Sequence, residues 1–306
     1  MALSPNLRGA AFMAVSMFGF TINDTISKSL TDEMNAGQLM FVRGAFATLF
    51  IVLLAWQQKA LHGPRSWFQP LVLLRAFCEL FATVAFLTAL AHMPLANVSA
   101  VLQSLPLAVT MGAALVFGET VGWRRWLAIL VGFVGVLVIV RPGFEGFSTY
   151  SLLALVSVAF CAVRDLATRQ IPKDIPTLVP SVVTAAAVAA CGGLLIVPMG
   201  GWSPMTGEEA FRLALAALML IPGYIFIILA MRIGEVSFVA PFRYTALLWA
   251  IVLGYAALGE VPDIVMLAGS TLVVGSGLFS LYRERVRGRT RPIAETSREP
   301  MAPDGT

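Results

Sequence analysis

Six ionisable side chains lie inside stretches that otherwise read as hydrocarbon: Arg43, Arg75, Glu79, Arg164, Asp165 and Arg243. Carrying such a group to the centre of a bilayer costs about 2.5–3.5 kcal/mol on insertion scales, so each needs a reason to be there. Arg75 and Glu79 stand four residues apart, on one helix face, close enough to neutralise each other. Such a pair either lines and gates a pathway or ties a bundle together, and Glu79 is the carboxylate best placed to couple transport to protons. Asp24 with Lys28, and Asp165 with Arg169, repeat the same spacing near the ends of apolar stretches. Asp24 and Asp165, with Arg164 beside the latter, are candidates for gates, whereas Lys28 and Arg169 can simply extend to the interface.

A second group combines polar side chains with proline. Gln103 and Ser104 precede Pro106, and Arg243, Tyr244 and Thr245 follow Pro241. Proline has no N–H to give to the preceding turn, so a carbonyl is left free where polar side chains can join it around a solute. A kink closed by interhelical hydrogen bonds is the competing reading. Arg243 offers a guanidinium fork for a carboxylate or phosphate, and Arg43 offers another. These five residues, Gln103, Ser104, Arg243, Tyr244 and Arg43, are the expected substrate-binding set. Trp249, Phe77, Phe81 and Phe86 are read mainly as packing residues.

Positioning these groups falls to a very apolar chain. Of its 306 residues 58% are hydrophobic and 12% charged, against about a quarter charged in a soluble domain. With a mean hydropathy of +0.84, the excess apolar surface must face lipid. Windows of about 20 residues, the length that crosses the hydrocarbon, fall at 9–28, 36–56, 70–91, 95–117, 123–140, 148–169, 177–199, 210–231, 236–258 and 262–282. Charges or helix breakers separate them. Fourteen basic residues fall on the side of the termini, against Lys28, Arg141 and Arg212 opposite. The positive-inside rule therefore expects both termini in the cytoplasm, with the chain in the inner membrane of a bacterium.

The net charge of +4 owes much to the run from Arg283 to Arg291, directly after the last window. A juxtamembrane cluster of this kind orients the chain or touches anionic lipid, so no nucleic-acid partner is expected. Cys78, Cys161 and Cys191 lack paired spacing, and His62 and His92 are the only histidines. No metal, cofactor or nucleophile motif is expected, and no phosphate-binding loop for ATP. An enzyme is thus disfavoured, and a channel lacks the acidic rings or filter loops it would need. Small-molecule substrate and membrane lipid are the expected partners, with a homodimer left open.

Sliding the sequence on itself by 141 residues brings Gly118-Glu119 onto Gly259-Glu260, Ala89-Leu90 onto Ala230-Met231, and Asn23-Asp24 with Lys28 onto Arg164-Asp165 with Arg169. Five windows per half is an odd number, so the second half would enter the membrane inverted, as in secondary transporters. The expected fold is all-α: ten transmembrane helices in two inverted five-helix repeats around a central cavity. The expected divisions are 1–144, 145–282 and a basic, disordered tail over 283–306. These repeats, the two Gly-Glu pairs, and the segment Gly132-Phe-Val-Gly135 leading to Val140-Arg-Pro-Gly143 resemble the EamA-type drug/metabolite transporters. The resemblance spans roughly residues 8 to 285 and departs at Tyr282-Arg-Glu, where a second Arg-Pro-Gly is missing. It implies alternating-access transport of small organic solutes without ATP. Riboflavin is the first candidate, and export of an amino acid or other metabolite is the alternative.

Overall fold

The computed structural model describes residues 4–57, 67–118, 121–143, 148–172, 175–176, 178–233 and 239–289. Those residues form helices: α1 (Pro5–Ser29), α2 (Ala36–Gln57), α3 (Pro70–His92), α4 (Leu95–Leu102), α5 (Leu105–Phe117), α6 (Trp123–Val140), α7 (Tyr150–Gln170), α8 (Leu178–Leu195) and α9 (Gly207–Ile233). A 3-10 helix (Ala240–Tyr244) then leads into α10 (Thr245–Leu258), and α11 (Ile264–Arg289) follows.

Local chemistry starts and stops them. Ser4 and Gln69 cap α1 and α3 by accepting from the N–H groups of Leu7 and Val72, and Pro5 and Pro70 follow, where a missing N–H does no harm. α5 and α10 end on Gly118 and Gly259, at φ of 65° and 68°. In that left-handed region a side chain would collide with the backbone.

Eight stretches among the described residues are long and apolar enough to cross a bilayer, counting α4 with α5 and the 3-10 helix with α10 as one each. The protein is a multi-pass membrane protein. α1 and α9 are longer still, at 25 and 27 residues. In α1, Asn23 and Asp24 interrupt the apolar run, whereas residues 213–230 of α9 carry no charged side chain. The perimeter is greasy: Leu49, Leu53, Leu115, Val116, Leu130 and Leu194 are each more than half exposed, as a lipid-facing surface requires.

Three expectations about the spans change. The windows at 95–117 and 236–258 are not single helices but break at Gln103-Ser104 and at Tyr244. α8 stops at Leu195, four residues short of its window, and turns carry the chain on to Gly200. α11 continues to Arg289, so the first seven residues of the expected disordered tail are helical. Helix formers in that stretch keep the backbone bonded past the apolar window, because charge ends a membrane window without ending a helix.

Helices pair across the chain: α1 packs most extensively on α9, α2 on α8, α3 on α7 and α6 on α11. Small residues allow the close approach. A Cβ at Gly192 of α8 would lie 2.5 Å from the Phe41 nitrogen, and one at Gly135 of α6 would lie 2.8 Å from the Gly269 carbonyl oxygen. In lipid there is little hydrophobic drive to bring helices together, so backbone proximity and the dispersion it allows do much of the holding. Gly192→Ala is therefore expected to destabilise the protein by about 1–3 kcal/mol. Gly207→Ala, where a Cβ meets open space, should leave the thermal unfolding midpoint within about 1 °C of wild type, and comparable melts for the two would remove this account.

Candidate functional site

The intramembrane charges form a network that ties five helices. Glu79 on α3 accepts from Arg164 on α7, Nη1 to Oε2 at 2.7 Å, and Arg164 also holds Asp165 of its own helix at 2.7 Å. Arg75 donates to Thr184 Oγ1 on α8 at 2.9 Å. On the other side of the cluster, Arg43 of α2 donates to Asn23 Oδ1 and Ser27 Oγ of α1, both at 3.3 Å, and Asn23 in turn donates to Asp24 at 2.9 Å. The positive charges of Arg164, Arg75 and Arg43 all act on the Glu79 carboxylate.

The expected pairing of Arg75 with Glu79 is therefore replaced. Helix α3 lies along α7, so the better-directed guanidinium reaches Glu79 from across the interface, and Arg75, one turn away, turns to α8. Asp24 and Lys28 are likewise not partners. Lys28 Nζ instead donates to the carbonyls of Leu90 and Met93, at 2.7 and 2.6 Å, and lies 3.3 Å from Glu260. Glu260 also accepts from the Leu95 N–H at 2.6 Å, at the start of α4. Glu260 thus places an acid at the amino end of α4, not at that of the helix that follows it in the chain. The side chain of Arg169 and all of Glu119 lie outside the described residues.

At the two helix breaks the side chains divide by use. Ser104 donates its hydroxyl to the Val101 carbonyl at 2.7 Å, and Thr245 does the same to Phe242 at 2.6 Å. Both hydroxyls are thus spent on closing the kink, and only their lone pairs remain for a solute. Gln103 and Tyr244 are different. Gln103 is 8% exposed and Tyr244 5%, yet neither side chain has a hydrogen-bond partner among the described residues, and the Tyr244 hydroxyl oxygen is fully buried. Buried polar groups are almost always paired, so two unpaired ones call for a third party. Arg243 is exposed, and no ion pair holds it among the described residues.

These two breaks stand at one level. α4 begins beside the end of α10, with Leu95 packed opposite Gly254 and bonded to Glu260. Eight residues along α4 cover about 12 Å. Counting back the same length on antiparallel α10 arrives beside Thr245. The breaks at Gln103-Ser104 and Tyr244-Thr245 therefore lie at similar depth, whereas Arg43 belongs to the charge network.

The aromatic side chains behave as packing. Trp249 donates to the Ala14 carbonyl at 3.1 Å and packs on Phe18, while Phe77 and Phe81 pack together at a tilt on an exposed face. Among the described residues no group of three or more His, Cys, Asp or Glu could hold a metal.

A helical membrane protein with charged networks inside it and paired breaks in its spans belongs to the class of membrane transporters. Comparison with known proteins agrees. Residues 7–141 match the EamA-like transporter family. The pseudopaline exporter CntI of Pseudomonas aeruginosa is 27% identical over 272 residues, covering 87% of this chain and 93% of that one. The S-adenosylmethionine uptake transporter of Rickettsia prowazekii is 25% identical over 292 residues, covering 93% and 96%. A riboflavin transporter of Vibrio cholerae is 25% identical over 291 residues, covering 92% and 96%. A solved crystal structure superposes with a TM-score of 0.61 at 19% identity, over 90% of this chain and 97% of that one, so the fold is shared. The first half of the chain thus resembles the EamA-like transporter family, and relatives that match nearly its whole length are named as transporters or exporters of small molecules.

Neither Thr184 nor the Lys28–Glu260 bond was legible as a site feature. A Thr in an apolar run carries no distinguishing signal, and Glu260 stood out only as half of a repeated Gly-Glu.

Proposed function

We propose that the chain is a ten-span secondary transporter of a small organic metabolite, working by alternating access about a pathway between two inverted five-helix halves. The observation that carries this reading is the pair of helix breaks at Gln103-Ser104 and Tyr244, where neither Gln103 nor Tyr244 makes a side-chain hydrogen bond among the described residues. Gln103, left unpaired, can bond a solute that passes, while the Tyr244 hydroxyl, buried against Gly277, becomes available only when the helices shift.

Local motifs that recur at the 141-residue offset support the inverted repeat. The back-bond of Ser104 to Val101 returns as Thr245 to Phe242. The bond of Asn23 to Asp24 returns as Arg164 to Asp165. The left-handed Gly118 returns as Gly259. The helix pairing fits as well: a two-fold axis exchanging the halves turns the α1–α9 contact into the α7–α3 contact and maps α2–α8 and α6–α11 onto themselves.

On this reading Lys28 and Glu260 latch one end of the pathway, and Glu79, Arg164 and Asp165 hold α3 to α7 toward the other. Fourteen basic residues on one side favour cytoplasmic termini in a bacterial inner membrane. Interior arginines outnumber interior carboxylates, so an anionic, zwitterionic or uncharged aromatic solute fits better than a simple cation. Riboflavin and S-adenosylmethionine, named for relatives, are the first candidates, with export of an amino acid or other metabolite as the alternative. Uptake and efflux by the purified protein in proteoliposomes, over a panel of riboflavin, S-adenosylmethionine and aromatic amino acids, tests it. Saturable flux of one solute, competed by its unlabelled form, is the expected result; enzymatic conversion of the solute, or unsaturable ion conductance, would overturn the reading.

A further inference from the structure

A cavity of about 490 Å³ opens on the side of the bundle between α6 and α11, and no residue of the charge network lines it. Its walls are almost wholly apolar: Leu127 and Val131 from α6, Leu272 and Phe279 from α11. Gly275 deepens it, since a Cβ there would meet open space. The mouth is different. Trp123 and Arg124, at the start of α6, line that end, and Arg124 lies over the Trp123 ring at 5.3 Å. Arg124 is exposed and makes no ion pair among the described residues. Arg283 follows Phe279 by one helical turn, so it continues the same face of α11 at the same end. The α6 amino terminus adds to this field. Its cap is Gly122, which has no side chain to give, and its first turn holds no acid, so several N–H groups there lack a helical partner.

An apolar trough that ends at Arg124, with Arg283 one turn beyond it on α11, neither in an ion pair among the described residues, and with an open helix amino end matches a molecule with a hydrocarbon tail and an anionic head. We propose that this groove is a binding site selective for anionic phospholipid. One acyl chain runs along Leu127, Val131, Leu272 and Phe279, and the phosphate rests between Arg124, Arg283 and the first N–H groups of α6. A zwitterionic phospholipid fills the same trough but carries a cation of its own toward the arginines, so it binds less well. This inference is independent of which solute the protein carries.

Native mass spectrometry of the full-length protein, titrated with phosphatidylglycerol or phosphatidylcholine of matched chains, tests it. About tenfold tighter retention of phosphatidylglycerol is expected, equivalent to about 1.4 kcal/mol. The double variant Arg124→Gln/Arg283→Gln should bring the two lipids to within about twofold, a gap of about 0.4 kcal/mol. Gly275→Leu, which fills the trough and leaves both charges, should weaken both lipids together. Equal retention of the two lipids by the wild type would overturn the proposal. So would selectivity that survives the double variant, which would assign it to the basic residues beyond Arg283, or a dimer cross-linked through Leu127→Cys, which would make the groove an interface between copies.

Discussion

Arg164→Met is expected to cost the protein about 3–5 kcal/mol of stability, the range for breaking one partner of a buried ion pair. The loss comes less from the bond than from what is left behind. Glu79 would keep its charge without the guanidinium 2.7 Å away, with only the more distant Arg75 and Arg43 acting on it. Asp165 would lose its partner at the same time. Arg75 does not take over, because its side chain reaches α8 and is bonded to Thr184. The compensating double variant Glu79→Leu/Arg164→Met removes both charges from the α3–α7 interface and should recover most of the loss, since replacing a whole buried pair with apolar side chains is often near neutral. Thermal unfolding of the purified protein reads both outcomes. A single variant that melts with the wild type would mean that the pair is solvated and not part of the packed interface.

The second large effect is expected in flux and not in stability. Gln103→Ala and Arg243→Ala should each reduce solute flux by about tenfold or more, the equivalent of losing about 1.4 kcal/mol of interaction in the rate-determining state. Neither side chain bonds another described residue, so neither substitution breaks a hydrogen bond or ion pair among them, and both variants should melt close to wild type. Gln103→Ala acts by removing an amide from a kink whose other polar group, Ser104, is already committed to Val101. Arg243→Ala should discriminate among solutes, losing those with a carboxylate or phosphate and sparing uncharged aromatic ones. Tyr244→Phe removes only the buried hydroxyl and separates hydrogen bonding from shape. Unchanged flux in all three, with saturable transport intact in the wild type, would move the pathway elsewhere, with the charge network of Arg43 and Glu79 next to be tested.

Much of the architecture was legible in the residue order alone. Lipid demands about 20 apolar residues per crossing, so hydropathy marked the stretches in which the described helices lie, eight of them long and apolar enough to span. The 123–140 window agrees to the residue with α6. The polar positions worth attention could also be picked out, because a charge or amide in a hydrocarbon run is costly enough to be conspicuous. The two prolines marked the places where helices change character, since a ring nitrogen cannot donate whatever the surroundings.

Partnership was decided only in three dimensions. Spacing of four residues along a helix made Arg75–Glu79 and Asp24–Lys28 look like pairs, but neither forms. Within one helix, i to i+4 contact is one option among several, and in a bundle a neighbouring helix offers better-directed donors and acceptors. Glu79 goes to Arg164, Lys28 to Glu260 and two carbonyls, and Arg75 to Thr184, because α3 packs on α7 and α8, and the α3–α4 turn and Glu260 meet the end of α1. The same packing left Gln103 and Tyr244 without partners and separated them from Ser104 and Thr245, which the sequence had grouped with them. Local chemistry determines what a residue offers along the chain; which offer is taken depends on interhelical distances that no local window contains.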